Sequence, residues 1–231
     1  MNRLPGFVRQ HIAGLRLLLV FTVLTGIIYP AVMLGIAQVA FKHQANGSLV
    51  TYKGRVVGSS LLCQEFVGAK GKPLPQYFQP RPSFAIVGWS LAQKKNGTYY
   101  VSGTGPDNYG CNPLYSSASN LGPNNPALIQ FVKQRQAQIA ASDHVKISQI
   151  PPDAVTASGS GLDPFISPQN AAIQVDRVAA TRHVSPAQIQ ALVDQYTQGR
   201  NLGFLGEPRV DVLNLNIALD EKYPMPSGTG S

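Results

Sequence analysis

Charge is scarce in this chain. Asp, Glu, Lys and Arg make up 13% of its 231 residues, about half the share of an ordinary globular protein. The formal excess of +8 is spread thinly: apart from Arg3, Arg9 and Arg16 near the start, only the pairs Lys70/Lys72 and Lys94/Lys95 stand together. A nucleic-acid binder carries a concentrated basic stripe, so nucleic acid is set aside as a partner. Histidine is sparse too. His11, His43, His144 and His183 lie far apart, with none at a metal-ligand spacing. The 11 acids are scattered and form no close pair suited to general acid/base work. Cysteine is limited to Cys63 and Cys111. Spacing leaves them open as a disulfide in an oxidising compartment or as two buried thiols.

Long apolar runs are absent but for one. Leu17 to Phe41 contains no charged residue. About 20 apolar residues span a bilayer core as a helix, whereas a signal peptide has an apolar region of only about 7–15. The run is therefore expected to be a single uncleaved transmembrane helix at 17–41. Arg3, Arg9 and Arg16 on the short arm 1–16 favour a cytoplasmic N-terminus, with the larger part of the chain outside. Pro30 removes a backbone donor and is expected to bend the helix. Thr22/Gly26 and Ala31/Gly35 place small residues four apart, which permits close packing on another membrane helix.

Gly (22) and Pro (18) are abundant, and most of both lie beyond Phe41. Residues 42–223 are expected to form one extracytoplasmic α+β domain, and 224–231 a disordered tail. "SLVTYKGRVVGSSLLCQEF" predicts a hairpin turning at Lys53-Gly54. From Gly68 to Pro126 the composition predicts loop, relieved by a short strand at Tyr99–Val101. Three helices show their start signals: Asn125-Pro126, Ser167-Pro168, and Ser185-Pro186 with Gln188 completing a capping box. Gly199 is the expected stop of the last. In "RVDVLNLNIALD", Leu213, Leu215, Ile217 and Leu219 alternate with Asn214, Asn216 and Ala218, which predicts a final strand with a bulge near Val212-Leu213.

The stretch "DAVTASGSGLDPFISP" (153–168) looks built to hold something. It lacks the lysine of a phosphate-binding loop, and Pro164 stands where a dinucleotide fingerprint needs its third glycine. Ser160, flanked directly by Gly159 and Gly161, lacks G-x-S-x-G spacing, and no S-x-x-K pair occurs. A geometric role fits better: glycines for positive φ, and hydroxyls that satisfy the backbone of a tight turn. In "YFQPRPS", Arg81 is stiffened by Pro80 and Pro82, which suits a partner contact, a buried ion pair or a loop pinned to its own domain. The sequons at Asn46 and Asn96 matter only in a eukaryotic secretory setting.

Seven stretches in order carry a resemblance: "TGIIYP", "GSSLLCQEF", "YFQPRPS", "SNLGPNNPAL", "DAVTASGSGLDPFISP", "RVAATR" and "LGFLGEPRVDVLNLNIAL". Together they resemble the C subunit of the bacterial Kdp potassium-transporting ATPase, the KdpC family. The resemblance implies a single-pass inner-membrane protein that accompanies a channel-like potassium-translocating subunit, a P-type ATP-hydrolysing subunit and a small membrane peptide. It implies a part in assembling or stabilising that complex, and a catalytic-chaperone effect that raises the ATP affinity of the hydrolysing subunit. Gln64 corresponds to the family glutamine proposed to meet nucleotide. Cys63 replaces the usual glycine before it, Ser117-Ala118-Ser119 departs from a diglycine form, and Phe165 replaces a histidine. An external domain does not meet cytoplasmic ATP, so any effect on the pump is expected to travel through subunit contacts. The partner-interface candidates are Gly26, Pro30, Arg81, Ser158, Ser160 and Asp163; no residue is assigned a catalytic or metal-binding role. The alternatives are a membrane-anchored external serine hydrolase using Ser158 or Ser160, and a free-standing envelope binding module.

Overall fold

The structure, a computed structural model, describes residues 5–68, 71–104 and 111–225. Arg3, Lys70 and all but the first two residues of the expected disordered tail lie outside the described residues. The chain divides into two units, one ending at Leu49 and the other beginning at Val50.

The first unit is dominated by a continuous helical rod, Gly6–Ala40. It comprises α1 (Gly6–Val23), one π-helical turn (Leu24–Ile28) and α2 (Tyr29–Ala40). At 1.5 Å per residue the rod is roughly 52 Å long, against the roughly 30 Å of a hydrocarbon core. Its first turns, with Arg9 and Arg16, can therefore stand clear of lipid. The π-turn "LTGII" lies just before Pro30, ahead of the proline that cannot donate. Thr22 and Thr25 donate their hydroxyls back to the carbonyls of Leu18 (2.8 Å) and Phe21 (2.6 Å), which leaves no polar side chain unpaired there. A Cβ at Gly26 or Gly35 would meet nothing within 4 Å. A short α3 (Lys42–Ala45) follows.

In the second unit, Lys53 (φ 48°) and Gly54 (φ 77°) turn the predicted hairpin between β1 (Leu49–Tyr52) and β2 (Arg55–Ser59). The Gly68–Pro126 region holds more than the one strand expected: β3 (Val87–Gln93) pairs antiparallel with β4 (Tyr99–Thr104), with an irregularity between Val87 and Ser90. The three helices start at their predicted caps. Asn125 opens α4 (Pro126–Asp143), Ser167 opens α6 (Pro168–Arg182), and Ser185 with Gln188 forms the capping box of α7 (Pro186–Tyr196). A short α5 (Pro152–Val155) lies between α4 and α6. α7 stops at Tyr196, three residues before Gly199, because Thr197–Gln198 leaves the helix as β6. A small antiparallel sheet runs β5 (Phe165–Ile166), β7 (Arg209–Asp211), β6, with Val210 opposite both Ile166 and Thr197.

The expected final strand is a helix, α8 (Val212–Lys222). Asp211 caps it, accepting from the Asn214 amide at 3.0 Å. Its buried positions are Val212, Leu213, Leu215, Asn216, Ala218 and Leu219, a helical stripe. Asn216, 1% exposed, belongs to that stripe. Counting it as an outward polar residue created the false period of two. The main core joins this face of α8 to Val175 and Val178 of α6, Ile189, Leu192 and Val193 of α7, and Phe78. A second, smaller cluster joins Phe84 to Ala127 and Phe131 of α4. The fold class is α+β, one apolar N-terminal helix followed by a mixed helix-and-strand body.

Candidate functional site

The glycine-serine loop is a knot of internal bonds. Ser158 Oγ accepts from the amides of Gly161 (3.1 Å) and Ser160 (3.3 Å), and Ser160 Oγ accepts from Leu162 N at 3.1 Å. The two hydroxyl oxygens lie 3.1 Å apart. Ser117 N and Ser116 Oγ donate to the Ser160 carbonyl, and Ser83 Oγ donates to that of Gly161 at 2.7 Å. Gly161 has φ +73°, and a Cβ there would stand 2.5 Å from the Ser117 carbonyl oxygen. Three distant stretches thus close on one backbone position that only glycine fills. Ser158 is buried beneath the loop, while Ser160 is exposed. Neither hydroxyl meets a histidine among the described residues. His144 and His183 instead terminate α4 and α6 in the left-handed conformation.

Arg81 reaches the same loop. Its Nη1 donates to Asp163 Oδ2 at 2.9 Å and its Nη2 to the Thr156 carbonyl at 3.3 Å, while Nε is buried without a partner. Asp163 Oδ1 accepts from Phe165 N at 3.0 Å. The neighbouring Pro82 is fully buried, and its carbonyl accepts from Ser158 N. Arg81 is therefore the pin of a loop on its own domain, partly exposed on its outer side. Asp153 clamps the start of α6, accepting from Ser167 N, Ser167 Oγ and Asn170 Nδ2 at 2.8–3.0 Å. Arg81, Asp153, Asp163 and Phe165 line an open groove of about 660 Å³ together with Glu207, Pro208 and Arg209. The Arg209 guanidinium lies 4.3 Å over the Phe165 ring, a cation–π contact at the edge of the groove. Among the sequence candidates, Arg81, Asp163, Ser158 and Ser160 are brought to this one region, whereas Gly26 and Pro30 belong to the helical rod.

Gln64 does not line this groove. Its side-chain oxygen would stand 2.7 Å from a Cβ on Gly58, and its amide bonds to no described residue. Cys63 beside it is bonded to Cys111 in a disulfide, which settles the open pairing. Glu65, which sequence reasoning passed over, is the more perturbed group. One of its oxygens accepts from Cys111 N at 2.6 Å. Burial pushes its carboxyl up to about 7, against the opposing pull of that amide. Nothing in the sequence marks this glutamate, since its shift arises from the packing of loops far apart in the chain.

The two arginines of "RVAATR" are structural. Arg177 donates to Asp143, Gln174 and the carbonyls of Pro75 and Tyr77. The Arg182 side chain is fully buried and bonds Asp220 (2.8 Å) and the carbonyls of Gln76 and Tyr223. Tyr77 donates to the other Asp220 oxygen at 2.9 Å. Burial, followed by the hydrogen bond to Asp220 and then that carboxylate's charge, raises the Tyr77 hydroxyl above its ordinary value.

The model of the family described as "K+-transporting ATPase, c chain" matches residues 11–221. A "Potassium-transporting ATPase KdpC subunit" of Streptomyces avermitilis is 46% identical over 231 residues, covering 95% of this chain and 97% of its own length. Proteins of the same name from Paraburkholderia phytofirmans (46% identity, 87% and 91% covered) and Herpetosiphon aurantiacus (47%, 90% and 94%) are similarly close. Most of the helical rod, the braced loop and the arginine-pinned segment thus fall within one matched span, and the chain belongs to the KdpC family, the c chains of potassium-transporting ATPases.

Proposed function

We propose that this chain is a non-catalytic accessory subunit of an ATP-driven potassium-uptake complex in the bacterial inner membrane. In this reading the N-terminus is cytoplasmic, the rod is the single membrane anchor, and the body lies outside. Its partners are the channel-like potassium-translocating subunit, the P-type ATP-hydrolysing subunit and a small membrane peptide. The observation that carries the reading is that the motif residues brace one another around an open groove instead of forming a reactive centre. Arg81, Asp163 and the Ser160 edge of the loop would then shape a surface on which partner subunits dock. Pro30 and Gly26 would offer a close-packing seam within the membrane.

The chain raises the ATP affinity of the hydrolysing subunit, in this proposal, through subunit contacts and not by touching nucleotide. Support comes from Gln64, whose oxygen faces Gly58, and from the lack of a phosphate loop. A Cys63–Cys111 bond also suits an oxidising envelope compartment.

The test has two arms. Protease added to sealed, right-side-out vesicles should digest the body and leave the rod; full protection overturns the orientation. The exposed Gln169 lines the groove. Gln169→Trp should reduce co-purification of the pump subunits at least tenfold with an unchanged melting temperature, and undiminished co-purification overturns the groove as the docking surface.

A further inference from the structure

A second cleft lies between α4 and α6, with the proline-rich stretch 73–82 as a further wall. Its volume is about 380 Å³, within the roughly 300–1,000 Å³ typical of small-molecule sites. Ile139 of α4 and Ile173 of α6 face it, with prolines between them. Most polar groups of the walls already bond one another. Gln79 and Gln174 exchange backbone and side-chain bonds, and Gln174 also bonds Asn170. Asp143 is held by Arg177, whose guanidinium donates to four acceptors in all. Glu65 differs: one oxygen takes the Cys111 amide, and the other bonds no described residue. An apolar chamber with one carboxyl oxygen left over has a defined complement.

We propose that this cleft binds a small organic monocation, an ammonium group on a compact apolar body, with the ammonium at Glu65 and the body against Ile139 and Ile173. The other charges of the cleft do not oppose this. Asp143 and Arg177 neutralise each other. Lys72, the remaining cation among the described lining residues, is exposed, where water and salt screen its repulsion. An anion would instead meet Glu65 with no free inner cation among the described residues to hold it. A neutral apolar molecule would cover the carboxyl without offering it a donor. The proposal goes beyond the accessory role and stands whether or not the groove binds a partner.

The experiment uses the full chain in lipid nanodiscs with labelled isoleucine methyls. The probe is benzylammonium, and benzoate and benzyl alcohol serve as controls of the same shape. Benzylammonium should shift the Ile139 and Ile173 methyls and bind at least tenfold more tightly than either control. Because Glu65 titrates near 7 and the probe stays cationic, affinity should rise about thirtyfold between pH 5.5 and pH 8, following the ionised fraction. Glu65→Gln should remove that pH dependence and weaken binding at least tenfold. Ile173→Trp, which fills the chamber and spares Glu65, should abolish the shifts and guards against misfolding of the first variant. The proposal is overturned by the absence of methyl shifts at tens of millimolar probe, by benzyl alcohol binding as well as the cation, or by unchanged affinity in Glu65→Gln.

Discussion

Asn216 and Phe78 are bonded to each other twice, across 138 residues of sequence. The Phe78 amide donates to Asn216 Oδ1 at 2.9 Å, and Asn216 Nδ2 donates to the Phe78 carbonyl at 2.9 Å. A side-chain amide on a helix thereby completes an extended segment as a neighbouring strand would. Both residues are essentially inaccessible to water. Asn216→Leu would keep the volume and orphan both backbone groups of Phe78, at about 1–3 kcal/mol for each buried group left unpaired. The expected outcome is a loss of about 2–5 kcal/mol in urea denaturation, larger than for Asn214→Leu on the half-buried side of α8. Equal losses would contradict the exchange of bonds as the cause.

The same residue shows where the sequence misleads. Caps are local, so Asn125, Ser167 and Ser185 announced their helices correctly: each hydroxyl or amide bonds an amide two or three residues away. Asn216 is satisfied by a partner far along the chain, and no local pattern reveals that a polar residue faces inward. β3 escaped for a similar reason, since its composition is ambiguous and its pairing with β4 supplies the order. At the site, the stiffness of Arg81 between prolines was legible, but its bond to Asp163 spans 82 positions. Glu65 was silent because only tertiary burial distinguishes it from other glutamates.

The two glycines of the serine loop should respond oppositely to alanine. Gly161 has a positive φ, and its Cβ would meet a backbone oxygen at 2.5 Å, so Gly161→Ala must displace the Ser116–Ser117 segment. A loss of roughly 2–4 kcal/mol is expected from strain and broken loop bonds. A Cβ at Gly159 meets nothing within 4 Å. Gly159→Ala should change stability by less than about 1 kcal/mol. Thermal unfolding of both variants decides whether steric closure or loop flexibility governs this motif.

The Arg81–Asp163 pair is partly exposed, with side chains 22% and 30% accessible. Screening limits its direct strength. A double-mutant cycle with Arg81→Met and Asp163→Asn should give a coupling of about 1 kcal/mol. Arg81→Met alone should be the more damaging single change, because it also removes the bond to the Thr156 carbonyl. A coupling near zero would mean that the prolines, and not the ion pair, fix this segment.

Glu65 gives stability a pH dependence of definite sign. Its carboxyl titrates near 7 in the fold and near its ordinary value of about 4.3 when unfolded. Between those values the folded state holds more protons than the unfolded state, so unfolding free energy falls as pH rises. The contribution is fully present below the unfolded value and is lost as pH climbs through about 7. Glu65→Gln should flatten the slope of urea midpoints between pH 5 and pH 7.5. An unaltered slope would place the titrating group elsewhere, with Asp211, also raised by burial, the next to replace.

The Cys63–Cys111 bond closes a 48-residue separation, which chain-entropy arguments value at about 4 kcal/mol. It also fixes the Cys111 amide that Glu65 accepts from. Reduction should therefore act in two ways. It lowers the melting temperature, and it acts on Glu65 in two opposed senses: losing the Cys111 donor raises the carboxyl, while loosening the walls that shield it lowers it, and burial is the larger cause. The second effect separates this bond from a generic staple. In Cys63→Ser/Cys111→Ser the Glu65-dependent slope of stability against pH should shrink, because a more hydrated carboxyl titrates closer to its ordinary value. A double variant that loses stability yet keeps the full slope would show that the burial of Glu65 does not depend on the disulfide.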